Sequence, residues 1–407
     1  MKVPSDWHRK LVGDLLSFTS GNGFKSAEWA VEGLPIIRIQ NLNGSQNFNY
    51  YQGDVSENWL VDPGQLLFAW AGTRGVSFGP TIWNGPKGVL NQHIYKLTPK
   101  VEGDRRWLYY ALQWVTDRIE RKAHGFKSTL LHVHKSDITS QVVNVPPILE
   151  QQAIANVLST WEEAIQKTEQ LILAKQAHLK QMSRKLLFGD VRLRKQKSTM
   201  VDARFFRYPS EWSLFEIGDV SQEISLRGGD SAETVLSCSK YDGLVNSLDY
   251  FGKQVFSSDT SNYKVIKKGQ FGYPSNHIEE GSIGLLEHCE VGIVSPIYVV
   301  FEVNGDRVHA PYLYKLLKTD VYRHIFQVST SSSVDRRGSL RWSDFSRLKI
   351  PLPSMAEQKK IAEVIYVAEE EIKILKQLAE KYRVQKRGLM QKLLTGEWRV
   401  NTDEEVD

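Results

Sequence analysis

The sequence predicts an α/β protein of the α+β kind, in which two similar globular domains are joined by two long antiparallel coiled-coil helices with pseudo-twofold symmetry. The main observation is an internal repeat: residues 146–193 align without a gap on residues 353–400, 207 positions later, and 16 of 48 positions are identical. A repeat of this length defines the architecture, because each copy is expected to form the same structural unit. The other observations are a heptad pattern in both copies and short motifs shared by the segments between them.

Both copies of the repeat have the apolar spacing of a coiled-coil helix. Positions that alternate steps of four and three residues from Ile154 to Leu186 are apolar or small at eight of ten sites, and the equivalent positions from Ile361 to Leu393 at nine of ten. This pattern predicts a long helix with a continuous seam, and about 38 residues would give a length of roughly 57 Å. The predicted seam residues are Ile154, Leu158, Trp161, Ile165, Ile172, Leu179, Leu186, Ile361, Ile365, Ile372, Leu375, Leu389 and Leu393.

The two helices begin and end with the same residue types. Prolines precede both predicted helices, a glutamate falls in the first turn of each, and a glycine follows the last apolar pair, as is typical of helix termini. These glutamates and glycines are Glu150, Glu357, Gly189 and Gly396. Lys175 and Lys386 interrupt the seams. Either they extend to the edge of the helix pair, or they set its register and contact a partner, and the first interpretation is favoured.

The repeat divides the chain into four parts. Residues 1–145 are predicted to form a first globular domain, 146–193 the first repeated helix, 194–350 a second globular domain, and 351–407 the second repeated helix and a tail. Shared motifs, such as Pro-Ser-Asp-Trp and Pro-Ser-Glu-Trp, occur in the same order in both globular segments, which predicts similar folds. Because the apolar stripe of the second helix needs a partner, an antiparallel helix pair with a domain at each end is expected.

Short strands and a few helices are predicted within the two globular segments. The flanking Gly, Asn and Ser residues mark the turns between them. Strands are predicted at 35–40, 65–70, 94–97, 235–239 and 297–303, and helices at 106–122 and 311–327.

The composition limits the classes of function. The net charge of +5 permits a polyanionic partner without requiring one. No run of about 18 apolar residues predicts a membrane span, and the N-terminus lacks the apolar core of a signal peptide. The two cysteines, Cys238 and Cys289, are too few for a disulfide framework or a cysteine zinc site. A cytoplasmic protein without a membrane partner is expected.

The motifs of catalytic chemistry are missing from the sequence. There is no GxxxxGK[ST] phosphate loop and no Gly-x-Ser-x-Gly, and Gly21-Asn22-Gly23 fits a turn better than a cofactor loop. His132, His134 and Asp137 suggest either a metal site or a polar pair at the end of a strand, and the second interpretation is favoured since no other cluster completes the site. We therefore expect binding surfaces, no bound metal and no catalytic centre.

Several motifs and the order of the four parts point to one family. These are FTSGNGF at 18–24, LPIIRIQN at 34–41, GVLNQHIY at 88–95, and the helix openings PPILEQQAIA at 146–155 and PSMAEQKKIA at 353–362, with the closings LLFGD and LLTGE. Together they resemble the specificity subunit of type I restriction–modification enzymes over nearly the whole chain. The second domain departs from this pattern, with GIVSPIY at 292–298 in place of the Asn-Gln motif.

The resemblance implies a division of labour between the parts. Each globular domain, a target-recognition domain, would recognise one half of a bipartite target in double-stranded DNA. The helices would set the gap and dock two DNA-methyltransferase (modification) subunits, and a motor-nuclease (restriction) subunit would join for cleavage. The methyltransferase would be the partner that Lys175 and Lys386 could contact. The chain itself would be non-catalytic and hold no cofactor, while S-adenosylmethionine, ATP and magnesium would act in the partner subunits.

Base recognition requires polar side chains on loops that face a groove. The predicted DNA-binding residues are Lys25, Arg38, Gln40, Asn41, Asn43, Arg74, Asn91, Gln92, Lys127, Ser128, Arg227, Ser275, Asn276, His277, Arg336 and Arg337. Structural roles compete with this prediction: Arg38 could be an ion-pair partner, Asn91-Gln92 could cap a turn, and the serines at 329–333 could form a loop. Tyr50, Tyr51, Trp70 and Trp83 could stack on bases or belong to the core.

The sequence is also compatible with two other functions. A structural adaptor whose domains bind protein would have the same coiled-coil pattern. A stand-alone methyltransferase or nuclease is disfavoured by the missing cofactor and metal motifs.

Overall fold

The computed structural model describes residues 3–73, 75–122, 130–193, 198–228, 234–330 and 338–402. The chain forms two compact units, of which unit 1 comprises Met1–Gln170 with Gln377–Asp407, and unit 2 comprises Leu171–Lys376. Each unit therefore contains one globular domain and a part of both repeated helices. The sequence predicted the helices as parts separate from the globular domains. In the structure, a segment of each helix lies within each unit, together with the globular domain of that unit.

The elements of the first globular domain precede the first long helix. The strands are β1 (His8–Leu11), β2 (Leu16–Ser20), β3 (Leu34–Ile37), β4 (Tyr50–Tyr51), β5 (Leu60–Val61), β6 (Leu66–Ala69), β7 (Ala71–Thr73), β8 (Gly79–Ile82), β9 (Gly88–Leu90), β10 (Ile94–Pro99), β11 (Leu130–His132) and β12 (Val142–Val145). The helices are α1 (Val12–Leu15), α2 (Ile39–Leu42), α3 (Arg105–Lys122), α4 (Lys135–Thr139) and the long helix α5 (Ile148–Leu187).

The second globular domain follows α5. Its strands are β13 (Met200–Asp202), β14 (Arg207–Pro209), β15 (Ser213–Glu216), β16 (Ser221–Ile224), β17 (Leu236–Ser239), β18 (Gly243–Asn246), β19 (Lys264–Lys267), β20 (Phe271–Pro274), β21 (Gly284–Leu285), β22 (Val291–Val294), β23 (Tyr298–Val303) and β24 (Lys349–Leu352). Its helices are α6 (Ile217–Val220), α7 (Ser247–Phe251), α8 (Ala310–Leu317), α9 (Asp320–Ser329) and α10 (Trp342–Phe345), followed by the long helix α11 (Met355–Thr395).

Both units are built around an antiparallel four-stranded sheet with the same strand order. The order is β2-β10-β6-β8 in unit 1 and β16-β23-β20-β21 in unit 2. Outside these sheets, the antiparallel pair β1-β12 of unit 1 corresponds to β15-β24 of unit 2. Other strands differ: unit 1 has a second four-stranded sheet, β4-β3-β9-β5, whereas unit 2 has the pairs β17-β18 and β19-β22. The predicted α+β class, with two similar domains and two long helices, is confirmed.

Aromatic and aliphatic side chains from equivalent strands fill the two cores. Phe68 of β6 is fully buried in unit 1, and Tyr273 of β20 is fully buried in unit 2. In unit 2 the rings of Phe271 and Phe301 stack at 4.7 Å across β20 and β23. Large aromatic rings bury the most apolar surface per residue and therefore contribute strongly to such cores.

Two of the predicted elements are interrupted. The predicted strand at 35–40 ends at Ile37, because the backbone N–H of Arg38 donates to the side chain of Asn41 and a helical turn begins there. The predicted helix at 311–327 is divided into α8 and α9, since the hydroxyl of Thr319 accepts a hydrogen bond from the N–H of Tyr322 and caps a new helix.

The predicted seam of the long helices lies against the core of each unit. Ile154, Leu158 and Leu393 are buried in unit 1, and Ile361 and Ile365 are buried in unit 2. The remaining predicted seam residues are buried (Ile165, Ile172, Leu186, Ile372) or half-buried (Trp161, Leu179, Leu375, Leu389). The segments of α5 and α11 run antiparallel in both units. In unit 1, Glu162 contacts Lys386 and Glu169 contacts Arg383. In unit 2, Lys175 contacts Glu371 and Arg192 contacts Glu357.

The two lysines that interrupt the seams form ion pairs between the helices. Lys175 contacts Glu371 at 2.7 Å in unit 2. Lys386 contacts Glu162 in unit 1 and lies over the ring of Tyr110. These contacts match a role in setting the register of the helix pair more closely than free extension to its edge.

A cluster around an arginine–glutamate ion pair at the end of each helix pair explains two identities in the repeat, and the arginine is 10% exposed in unit 2 and 47% exposed in unit 1. In unit 1, the guanidinium of Arg399 donates to the carboxylate of Glu150 at 2.7 and 2.9 Å, and the indole N–H of Trp7 donates to the same carboxylate at 2.9 Å. In unit 2, Arg192 donates to Glu357 at 2.8 and 2.9 Å. We call these clusters the helix-end clamps, with Trp7, Glu150 and Arg399 in unit 1 and Arg192, Trp212 and Glu357 in unit 2.

Each clamp joins the start of one repeat copy to the end of the other. Arg192 also lies 5.5 Å from the ring centre of Trp212, and its hydrogen bonds to Glu357 raise its pKa. In unit 1, Arg399 also bonds Asp6 and lowers the pKa of this exposed carboxyl. The conserved spacing of glutamate and arginine in the two copies therefore reflects contact between the copies.

The glycine that ends each long helix is required by close packing. Gly189 and Gly396 have φ angles of +75° and +78°, in the left-handed region that favours glycine. A Cβ atom at Gly189 would lie 2.3 Å from Cγ of Pro209, and one at Gly396 would lie 2.6 Å from Cδ of Pro4. The Pro-Ser-x-Trp motif of each domain thus packs directly on a helix end.

No helix among the described residues is long and apolar enough to cross a membrane.

Candidate nucleic-acid interface

Several loops of unit 1 meet at one end of the central sheet, where β6 ends and β10 begins. Trp70 follows β6, and its backbone N–H donates a hydrogen bond to the carbonyl of His93 at 3.2 Å. The indole N–H of Trp70 donates to the carbonyl of Gln92 at 3.1 Å, and the hydroxyl of Ser20 donates to the same carbonyl at 3.2 Å. The segment 91–93, which contains two predicted contact residues, is therefore held from two sides.

The predicted contact residues of unit 1 differ in their exposure. Lys25, Gln40, Asn43 and Gln92 are exposed, and Asn91 is half-buried. Exposed amine and amide groups can contact phosphates and base edges. These five side chains are available for the contacts that the sequence suggested.

Asn41 has an internal role that the residue type alone did not indicate. It is 5% exposed, and its side-chain oxygen accepts a hydrogen bond from the N–H of Arg38 at 3.0 Å. Its amide nitrogen donates to the carbonyls of Ser45 and Asn47, each at 3.0 Å. Because the buried amide is used within the protein, Asn41 holds its own loop, and the prediction that it contacts a base directly is corrected.

Arg38 is half-buried at the start of α2. Its guanidinium lies 5.4 Å from the ring centre of Trp29, which is a cation–π contact. The ion pair considered from the sequence is thus replaced by a contact with an aromatic ring.

The aromatic residues considered for base stacking separate into core and surface groups. Trp83 is buried and its indole N–H donates to the carbonyl of Pro86 at 2.8 Å. Tyr51 packs against Phe24, with ring centres 4.9 Å apart. Trp70 is the member of this group that lies among the loops at the end of the sheet.

In unit 2 the corresponding end of the sheet carries three predicted contact residues. Ser275 and Asn276 are half-buried and His277 is exposed, directly after β20. The N–H of Ser275 donates to the carbonyl of Ile297 at 3.3 Å. Arg227 lies elsewhere on the domain, is exposed and donates to the side chain of Asn262 at 3.2 Å.

The histidines considered as metal ligands have other contacts. The carboxylate of Asp137 accepts a hydrogen bond from the backbone N–H of His134 at 3.1 Å and so caps α4. His132 packs its ring against Trp70 at 5.3 Å. Within the described ranges, the group of metal-binding residue types that comes close together is His277 with Glu279 and Glu280, an arrangement that is common on protein surfaces without an ion.

Some of the predicted contact residues lie outside the described residues. They are Arg74, Lys127, Ser128, Arg336 and Arg337, together with the serines at 331–333.

The sequence prediction did not include His93, Ile297 and Ser339, which lie beside the predicted residues at the ends of the sheets. His93 and Ile297 each precede an inner strand, β10 or β23. The comparison of GVLNQHIY with GIVSPIY already places both residues at the same position, but it does not show that they lie at the end of a sheet.

The fold and these surfaces define a protein with two binding modules on a common scaffold. Comparison with known families agrees: the model of the type I restriction modification DNA specificity domain matches residues 4–175 and again residues 209–381. The chain belongs to this family. It is a non-catalytic DNA sequence-specificity subunit of a type I restriction–modification system, and the adaptor alternative is not favoured.

Curated relatives are similar over most of the chain. The type I restriction enzyme EcoBI specificity subunit of Escherichia coli is 24% identical over 392 residues, which cover 89% of this chain and 79% of that protein. The MjaVIII specificity subunit of Methanocaldococcus jannaschii is 23% identical over 420 residues, covering 98% of this chain and 95% of that protein.

Solved structures share the fold. The S subunit from M. genitalium has a TM-score of 0.53 at 18% identity, covering 97% of this chain and 98% of that one. A chain of a type I R-M system, solved in a study of complex assembly and conformational transition, has a TM-score of 0.59 at 12% identity and covers 98% of this chain and 100% of that one.

Proposed function

We propose that each globular domain recognises one half of a bipartite sequence in double-stranded DNA, and that α5 and α11 set the length of the unrecognised gap. The observation that carries this proposal is one sheet order repeated in two units whose loops carry different side chains. A shared scaffold presents a recognition surface in the same way twice, while different loops allow two different half-sites.

The helices are proposed to dock two DNA-methyltransferase subunits, and a motor-nuclease subunit would join for restriction. S-adenosylmethionine, ATP and magnesium would act in these partners. The helix-end clamps give both units one common feature near which identical partners could bind. The outer faces differ, since Val367 and Ile374 are exposed on α11 where α5 has Thr160 and Lys167. Equivalent docking therefore depends on the helix ends more than on these outer positions.

A salt titration tests the DNA-binding part of this function. The chain, co-expressed and purified with its methyltransferase subunit, is expected to bind duplex DNA with an affinity that falls steeply with salt. For about 6–10 phosphate contacts the loss would be roughly 10³–10⁵-fold between 50 and 200 mM salt. Substitution of exposed Lys25 by Gln is expected to reduce the slope of the log–log plot by about 1.

Lys167 provides the matched control for this titration. It is exposed on α5 and pairs with Glu163 one turn away, outside both proposed recognition surfaces. Lys167→Gln should leave the salt slope unchanged. Binding that does not respond to salt would contradict DNA recognition and favour an adaptor that binds protein.

A further inference from the structure

The same backbone junction occurs in both units, at the end of the two inner strands of the central sheet. In unit 1 the N–H of Trp70 donates to the carbonyl of His93 at 3.2 Å, and the carbonyl of Trp70 accepts from the N–H of Val133 at 3.1 Å. The last rung of the adjacent ladder pairs Ile94 with Ala69. Three chain segments that are distant in sequence are therefore joined at Trp70.

Unit 2 repeats this pattern bond by bond. The N–H of Ser275 donates to the carbonyl of Ile297 at 3.3 Å, and the carbonyl of Ser275 accepts from the N–H of Leu340 at 2.8 Å. The last rung of its ladder pairs Tyr298 with Pro274. The equivalence defines two sets of junction residues, Trp70, His93 and His132 in unit 1 and Ser275, Ile297 and Ser339 in unit 2.

The junction residues of unit 1 form an aromatic cluster. The ring of Trp70 lies 5.2 Å from that of His93 and 5.3 Å from that of His132, and it stacks on Tyr95 at 6.0 Å. Trp70 and His93 are half-buried and His132 is exposed. The rings thus support one another, and the imidazole of His132 stays exposed, where it can donate to and accept from base edges or phosphates. Nδ1 of His93 is buried, and its Nε2 lies 3.4 Å from the side-chain amide of Gln92.

The junction residues of unit 2 have no aromatic rings and carry hydroxyl and aliphatic groups instead. Ser275 and Ser339 are half-buried, and Ile297 is 45% exposed. A serine hydroxyl can bond several bases, whereas an exposed aliphatic side chain at a DNA surface contacts the methyl group of thymine. The two units therefore present different contact chemistry from one backbone frame.

Two interior positions of the sheet keep large apolar side chains in both units. Phe68 and Tyr273 occupy the same rung position in the two units and both are fully buried. On the neighbouring strands, Leu97 lies three residues after Ile94 and Phe301 three residues after Tyr298, and both are buried. Packing keeps these four side chains large and apolar, although other positions of the same strands vary, with Leu67 and Lys96 in unit 1 where unit 2 has Gly272 and Val300. At the junctions, the change from aromatic rings to serine and isoleucine occurs at half-buried or exposed side chains, which packing of the core does not fix.

We propose that the junction residues determine which bases each domain recognises, with Trp70, His93 and His132 acting in unit 1 and Ser275, Ile297 and Ser339 in unit 2. This inference rests on the proposed function, because it assumes that each domain recognises a half-site. The half-site of unit 2 is expected to contain an A·T pair, because the aliphatic side chain of Ile297 would contact the methyl group of thymine. Trp70 is a positioning residue in this scheme, because its indole N–H holds the segment that carries Gln92.

The test is a map of methylated sites in cells that express the full chain with its methyltransferase subunit. The variant Trp70→Ser/His93→Ile/His132→Ser brings the chemistry of unit 2 into unit 1. It should reduce base discrimination in one half-site by roughly tenfold to a hundredfold, with the other half-site and the gap unchanged. Trp70→Phe, which keeps the ring and removes the bond to Gln92, should relax the same half-site to a smaller extent.

Two single substitutions complete the design. His134→Ser is the matched control, because His134 is exposed two residues from His132 and its backbone alone caps α4. It should leave the motif intact. Ile297→Ser changes an exposed side chain that lies outside the hydrophobic clusters, and it should relax the other half-site at an A·T pair. If the triple variant fails to fold, this substitution still tests whether junction residues determine base recognition.

The outcomes separate the two proposals. A bipartite motif for the unaltered chain that stays identical in Ile297→Ser and Trp70→Phe would overturn the role of the junction residues and leave the proposed function in place. A continuous motif for the unaltered chain would overturn the proposed function itself. A change in both half-sites from a substitution in one unit would also count against the junction proposal.

Discussion

Replacement of Glu357 by alanine is expected to lower the free energy of unfolding by about 3 kcal/mol, the lower end of the range for a broken buried ion pair. The side chains of Glu357 and Arg192 are 8% and 10% exposed, so the substitution leaves a buried guanidinium without its main partner. The loss is kept to the lower end because Arg192 retains contacts with Glu211 and Ser198. Urea unfolding of the purified complex would measure it.

The control for this prediction is an ion pair on the surface of the same helix pair. Glu163 and Lys167 are exposed along α5, and Glu163→Ala should change stability by less than about 0.5 kcal/mol. Hydrogen exchange would place the effect of Glu357→Ala in the first turns of α11. Equal effects of the two substitutions would show that the clamp does not stabilise unit 2.

A paired insertion of one heptad in both long helices is expected to lengthen the unrecognised gap in the DNA target by about 3 base pairs. Seven helical residues add about 10 Å, and one base pair occupies about 3.4 Å. The insertions belong after Gln170 in α5 and after Lys376 in α11, where the chain passes between units. Seven residues preserve the heptad phase, so the seam residues of each unit keep their partners. A methylation map would show unchanged half-sites.

The insertion has to be paired because the helices are antiparallel within each unit. Lys175 contacts Glu371, and Lys386 contacts Glu162. An insertion in α5 alone would lengthen one helix against the other and separate such pairs, so we expect loss of stability and of methylation. A paired insertion that folds and leaves the gap unchanged would contradict the role of the helices as a spacer.

Much of the helical architecture follows from the sequence, because a heptad pattern has few structural alternatives. The apolar positions from Ile154 to Leu186 predict both the helix and the face that it buries. The repeat also identifies Glu150 with Glu357 and Arg192 with Arg399. It does not show that the glutamate of one copy contacts the arginine of the other, because a sequence repeat establishes equivalence and not contact.

The loops are less predictable, because their residues are not placed by a periodic pattern. Asn41 has the residue type of a base contact, and only the structure shows that its amide bonds the surrounding loop. The junction at Trp70 depends on the pairing of β6 with β10, a contact between segments distant in the chain that local propensity does not encode. Thr319 ends one helix and starts another through a single hydroxyl.

The candidate DNA contacts Arg74, Lys127, Ser128, Arg336 and Arg337 stay predictions from the sequence. They are basic or hydroxyl side chains in segments rich in Gly or Ser, for which residue type is the main signal.

A map of genomic methylation most directly tests the central claim that two domains on one repeated scaffold recognise two half-sites. The full chain is expressed with its methyltransferase subunit in a host without other DNA methylation, and modified bases are located by sequencing. We expect one bipartite motif whose two specific halves are separated by a gap of fixed length and free sequence. A single continuous motif, or methylation that does not depend on this chain, would contradict the account.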